Sequence, residues 1–295
     1  MLRKALAPLA ILLLIAGGAL WLTQPATVDA AEYDDLTGDP ERGETVFIAA
    51  GCASCHYAPG AEDEARLILS GGQSFETEFG TFRAPNISPS PEAGIGDWTL
   101  TEFASAVTLG TAPDGSHYYP AFPYTAYTRL APQDVADLWT HMQTLPASDA
   151  ASEPHDLRFP YSIRASLGGW KALYLNDDWV MQDPEDETLE RGRELVEALA
   201  HCGECHTPRD ALGGLDTSRW LSGAPNPSGD GQIPGISPSE LDWSETDIAY
   251  YLETGFTPDY DSVGGHMVPV VNNFAQLPES DRQAVAAYLK ALPAN

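Results

Sequence analysis

The sequence predicts an all-α fold: two tandem domains, each a few short helices wrapped around a group that the polypeptide itself does not provide. Three observations carry this. The same motifs recur in the same order in both halves. The periodic segments are short and helical. The stretches between them are too rich in glycine and proline to bury a core unaided, with 26 Gly and 24 Pro in 295 residues. That length suits about two domains of ordinary size.

The N-terminus comes first. Arg3 and Lys4 precede a run without charge from Ala5 to Leu22. Its eighteen residues are just long enough to span a bilayer and long for a secretory signal. Trp21 sits where an interfacial aromatic anchor would, whereas Val28-Asp29-Ala30 offers a cleavage site. Anchored or cleaved, the segment 1–30 predicts that the remaining chain faces the periplasmic side of a bacterial inner membrane.

The duplication follows. Glu41-Arg42-Gly43 stands nine residues before Cys52, and Glu190-Arg191-Gly192 ten before Cys202, counted from the glycine. ISPS occurs at 87–90 and 236–239. Trp98 and Trp243 each lie twelve residues before a glycine, Gly110 and Gly255. Each unit closes on a matching stretch, LAPQDVADLWTHMQTLP (130–146) and LPESDRQAVAAYLKALP (277–293). These matches divide the chain into a first domain over 31–148, a connector over 149–188 and a second domain over 189–295.

Within each unit the helices can be placed. Val46, Phe47 and Ala50, then Leu195, Leu199 and Cys202, keep helical spacing ahead of and into the cysteine motifs. Thr99 with Glu102, and Ser244 with Asp247, form capping boxes for a middle helix. The closing helices begin near Pro132 and Pro278, with acids in the first turn. In the connector, Leu157, Phe159, Trp170, Leu173 and Tyr174 predict packing over the domains, not a free tether.

All four cysteines lie in GCASCH (51–56) and HCGECH (201–206). C-x-x-C-H is the attachment signature of a c-type haem. Each thiol adds to one vinyl group, and the following imidazole reaches the iron from the proximal side. The attachment residues are then Cys52, Cys55, Cys202 and Cys205, with His56 and His206 as iron ligands and two covalently bound haem c groups filling the domain centres. A zinc ribbon would pair its C-x-x-C units about 15–20 residues apart, whereas Cys55 and Cys202 are 147 apart. A thioredoxin-like dithiol needs a βαβ setting, and a disulfide would leave both histidines unexplained. Met267 in GGHMVPVV lies 61 residues after His206 and is the candidate for the second iron's other axial position. It could also be a buried gap-filler, and His266 is a neighbouring competitor. His201 reads as a surface or supporting group, and His141 and His155 as structural.

The chain holds 15 Lys+Arg against 43 Asp+Glu, a net charge of −28. Phosphates would be repelled, which excludes nucleic acid as a partner. The acidity predicts a solvated surface or a docking face for a basic redox partner.

GIGDW (94–98), YPAFPY (119–124), HCGECHTPR (201–209) and AAYLKALP (286–293) resemble the cytochrome c subunits of bacterial membrane-bound alcohol, aldehyde and gluconate dehydrogenases. The resemblance runs from about residue 38 onward. It implies helical cytochrome c domains that pass electrons from a dehydrogenase subunit toward ubiquinone, a cytochrome or an oxidase. Two departures stand out. The best-known relatives carry three haem domains, and many read YPAMPY, with the methionine on iron, where this chain has Phe122. For the first haem's other axial position the candidates are then His117, which lies 61 residues after His56, Met142, or no protein group at all. The expected function is electron transfer. The alternative is a dihaem enzyme, peroxidase-like or thiosulfate-oxidising, working at the first haem.

Overall fold

The computed structural model describes residues 17, 18, 21, 23–227, 229 and 231–293. Arg3, Lys4 and most of the apolar N-terminal run lie outside the described residues. Among those described, no helix is long and apolar enough to cross a membrane.

The first domain opens with α1 (Pro40–Ala50). Asp39 caps it by accepting from the amides of Glu41 and Arg42, and Gly51 ends it at φ 67°. The motif follows as a single turn, α2 (Cys52–His56). A hairpin that helical periodicity did not foresee comes next, β1 (Ser74–Thr77) and β2 (Gly80–Arg83). It is joined antiparallel by β3 (Asp156–Leu157) from the connector. Then come α3 (Leu100–Leu109), α4 (Tyr124–Tyr127) and α5 (Pro132–Met142). The connector carries α6 (Leu167–Tyr174). The second domain repeats the order: α7 (Glu187–Arg193), α8 (Gly203–His206), the short pair β4 (Ala224–Pro225) and β5 (Gln232–Ile233), α9 (Glu245–Thr254), α10 (Met267–Phe274) and α11 (Glu279–Ala291). The fold is thus mainly helical with a few short strands. Both middle helices start in the expected capping boxes, Thr99 with Glu102 and Ser244 with Asp247.

The repeated Glu-Arg-Gly is explained by how the first and last helices of each unit cross. A Cβ on Gly43 would lie 2.0 Å from the Asp137 carbonyl oxygen, and one on Gly192 2.2 Å from that of Ala284. Only glycine permits this approach. The arginine beside each glycine then forks onto a carboxylate of the closing helix. Arg42 reaches both oxygens of Asp137 at 2.7 and 3.0 Å, and Arg191 those of Asp281 at 3.1 and 2.9 Å. Gly192→Ala is therefore expected to force α7 off α11 and cost about 1–3 kcal/mol, as overpacking does. Thermal unfolding of the holoprotein measures it, with Gly169→Ala as control, because a Cβ there meets nothing within 4 Å among the described residues.

The extra residue between Gly192 and Cys202 also has a structural place. Residues Glu194–Leu199 continue α7 as a π-turn, the form in which a helix absorbs a one-residue insertion. That turn carries Glu197, 2 % exposed. Its carboxylate accepts from the amides of Val180 and Met181 and from the Tyr288 hydroxyl (2.7 Å), which in turn accepts from Trp220 Nε1. The buried carboxylate is therefore satisfied on several sides, and it ties the end of the connector to the second domain.

Further up the connector, α6 bridges both units. Lys171 donates to the carbonyls of Leu109 and Gly110 at the C-terminus of α3 (2.7 and 2.6 Å), where a cation suits the helix dipole. Burial lowers its pKa to about 8. On the other side, Trp170 donates to the Leu212 carbonyl and Tyr174 to Asp210. Phe159 and Leu173, expected to pack on the domains, instead stand 81 % and 65 % exposed. The buried apolar residues of the two domains form one continuous cluster.

Candidate metal centres

Each motif histidine is buried or half-buried and turned by one hydrogen bond. His56 Nδ1 donates to the Pro85 carbonyl (2.8 Å), and His206 Nδ1 to the Pro234 carbonyl (2.7 Å). A carbonyl can only accept, so the proton sits on Nδ1 and Nε2 keeps its lone pair. Burial lowers both pKa values, the Nδ1 bond opposing it, so both rings are neutral at neutral pH. This is the tautomer and charge state that an axial iron ligand needs. The carbonyl partners were not foreseen, yet the signal was present: Pro85 and Pro234 each stand two residues before the repeated ISPS.

The two thiols of each motif differ in their surroundings. Cys52 and Cys202 are half-buried, while Cys55 and Cys205 are exposed as residues. Burial pushes the Cys52 and Cys202 thiols up to about 12. A redox-active dithiol requires the opposite, a depressed thiol. Among the described residues no three His, Cys, Asp or Glu side chains cluster to hold a bare metal ion. The donor set at each motif, two thiols and one oriented imidazole, fits a covalently attached haem.

The two motifs meet each other. The Cys55 thiol is pushed up first by burial of its sulfur and then by the Cys205 thiol beside it. Ser54 accepts from Asn273 Nδ2 (3.1 Å), and Thr125 donates to Glu204 inside the second motif (2.8 Å). The Tyr127 ring stands edge-on to His201, centroids 5.7 Å apart, and the Tyr127 hydroxyl donates to the Ala50 carbonyl (3.0 Å). His201 thus lies at the junction of the domains, with φ at 43°. His141 packs tilted against the Phe47 ring, and His155 edge-on against Phe82 and Tyr119.

The loops that follow the middle helices have the same hydrogen-bond register in both domains. Gly110 and Gly255 end α3 and α9 in the left-handed region. Tyr118 N donates to the Gly110 carbonyl and Val263 N to that of Gly255, both at 2.7 Å. Bridges pair Thr111 with His117 and Phe256 with Ser262. Four residues past Tyr118 stands Phe122, and four past Val263 stands Met267. Met267 is half-buried at the first position of α10, and its neighbour His266 is exposed. His117 is thus the counterpart of Ser262. The equal spacing of 61 residues matches His117 to Met267 in count but not in place. From motif histidine to loop glycine the first domain runs 54 residues and the second 49, and the hairpin β1–β2 lies in the longer stretch. His117 is 6 % exposed, its Nε2 lies 3.1 Å from the Thr23 carbonyl oxygen, and its buried Nδ1 has no hydrogen-bond partner among the described residues. Met142, 2 % exposed, lies in the apolar core at the end of α5.

A cytochrome c family model matches residues 40–146 and again 189–293. The chain is 56 % identical over 292 residues to a diheme cytochrome c-type protein of Cereibacter sphaeroides, covering 99 % of each. It is 38 % identical over 260 residues to the fructose dehydrogenase cytochrome subunit of Gluconobacter japonicus, covering 86 % of this chain and 52 % of that one. It is 33 % identical over 280 residues to the gluconate 2-dehydrogenase cytochrome c subunit of Pantoea cypripedii, covering 90 % and 62 %. The chain thus spans nearly all of the first relative but only about half to three-fifths of the two dehydrogenase subunits.

Proposed function

The chain belongs to the cytochrome c family and carries two covalently bound haem c groups, and on that premise we propose that it passes single electrons between a dehydrogenase or quinol-oxidising partner and a terminal acceptor. In this reading the work is done on the periplasmic side of the inner membrane, with the segment 1–30 as tether or signal. The domains are the stretches 31–148 and 189–295, joined by 149–188.

The observation that supports this best is the contact of the two domains around their motifs, where Thr125 bonds Glu204, Asn273 bonds Ser54 and the Tyr127 ring meets His201. A bound haem supplies one-electron exchange between ferric and ferrous iron. Everything else is the polypeptide's part. Cys52 and Cys55, and Cys202 and Cys205, fix each group by two bonds. His56 and His206 hold iron through Nε2, each kept in place by a proline carbonyl. Met267 supplies a soft thioether to the second iron. The junction around Thr125, Glu204, Ser54 and Asn273 would hold the two attachment sites in a fixed relation, as one-electron exchange between two bound groups requires. The relatives named as dehydrogenase cytochrome subunits support a dehydrogenase as the donor.

The net charge of −28 supports a basic protein as a redox partner. The Debye length shrinks from about 30 Å at 0.01 M salt to about 3 Å at 1 M. Stopped-flow electron transfer to a small basic redox protein is expected to slow by roughly tenfold or more across that range. A rate that stays flat would remove steering, and no transfer at any salt would count against the carrier reading itself.

A further inference from the structure

We infer that the iron of the first haem has no protein ligand on its distal side, and that this iron binds a small neutral diatomic molecule of the carbon monoxide or nitric oxide class on the side of Phe122. This rests on the reading that Cys52, Cys55 and His56 hold the first haem.

The chain itself contains the control, because its second domain is built to the same plan. The loops 110–118 and 255–263 match bond for bond. Besides the bonds to Gly110 and Gly255, Ala112 N donates to the Ser116 carbonyl as Thr257 N does to that of Asp261, both at 2.9 Å. Counted four residues on from these matched bonds, Phe122 corresponds to Met267, two residues before α4 where Met267 opens α10. A phenyl ring has no donor atom, so the fold delivers a hydrocarbon where the second domain delivers a thioether.

Phe122 is half-buried and faces inward. Its ring lies 5.9 Å from that of Tyr118 and 6.0 Å from that of Tyr127, centroid to centroid. Tyr127 is buried and bonded to the carbonyl of Ala50, two residues before Cys52. The ring therefore belongs to the aromatic wall beside the first motif.

The two other candidate donors are held elsewhere. His117 is held by its backbone bridge to Thr111, and Gly168 of the connector closes over its ring, a Cβ there falling 2.9 Å from Nε2. Met142 is enclosed in the core on the closing helix. Swinging either one to the iron would empty a filled space, under Gly168 for the one and in the core of α5 for the other. A site walled by aromatic rings favours a neutral ligand over a hydrated anion, and the buried Tyr124 hydroxyl, unpartnered among the described residues and on a ring 6.4 Å from that of Phe122, is a donor available beside it.

Carbon monoxide titrated into the dithionite-reduced holoprotein tests this, after intact mass has verified two haems per chain. One molecule bound per chain is expected. Met267→Ala is expected to raise this to two, and Phe122→Met to lower it to none while adding a second near-infrared sulfur-to-iron band. His117→Ala is expected to leave the stoichiometry and the oxidised EPR spectrum of the first haem unchanged. Two haems with no carbon monoxide bound by the wild type would overturn the inference and leave the electron-carrier reading standing. If binding appears only in His117→Ala, His117 is the ligand. If only one haem is found, the attachment reading fails first.

Discussion

Met267→Ala is expected to lower the reduction potential of the second haem sharply and to abolish its sulfur-to-iron absorption in the near infrared, with both haems still attached. A thioether is a soft, neutral donor that favours the ferrous state, and replacing it with water or nothing removes that preference. Axial ligands command a range of roughly 0.8 V among haem proteins, so the drop should be a sizeable part of it. The position suits the role. Met267 opens α10 directly after Gly264 and Gly265, with His266 turned to solvent. Redox titration followed at two wavelengths separates the haems. Met267→His gives a further check, because a second imidazole keeps the iron low-spin while still lowering the potential and losing the sulfur band. If the potential and band survive in Met267→Ala, the thioether is not on the iron.

The double variant Cys202→Ala/Cys205→Ala should lose one haem by intact mass after denaturation, together with most of the ordered structure of the second domain. The second expectation follows from what surrounds the motif. Leu199, Trp220, Leu221 and Phe274 are all buried, yet the elements that carry them are short and the loops between them long. A domain of this size has little core to spare, and removing the group at its centre leaves a cavity far larger than a deleted side chain, with a cost that grows with its volume. Far-UV circular dichroism should fall by up to about half of the helical signal, and the first domain should become easier to unfold because Thr125 and Ser54 lose Glu204 and Asn273. A protein that keeps both haem masses would show that the thiols are not the attachment points. One that loses a haem but keeps its helices would show that the core is self-sufficient.

Much of this was legible in the chain. Duplication marked the two units, helical spacing and capping boxes placed most helices, and C-x-x-C-H named the group that fills them. The hairpin β1–β2 was not legible, because its four-residue strands are too short for alternation to stand out. Phe159 and Leu173 misled for a related reason: an apolar residue in an irregular segment does not say which way it points, and exposed ones are ordinary. The repeated Glu-Arg-Gly was seen as a marker of duplication but not as a device. Its meaning lies in Asp137 and Asp281, some ninety residues further along.

By itself the sequence determined what is local and covalent. The spacing of two thiols and an imidazole within one helical turn dictates the chemistry they can share, and no distant residue alters it. The tertiary structure decided what depends on contacts across the chain. It turned His56 and His206 with carbonyls from Pro85 and Pro234, brought Cys55 beside Cys205, and spent the extra residue of the second domain as a π-turn. It also made His117 the counterpart of Ser262 in the matching loop. Residue counting measures distance along the backbone, whereas the register of a loop is set by the hydrogen bonds that close it, and five additional residues before Gly110 shift the one without moving the other.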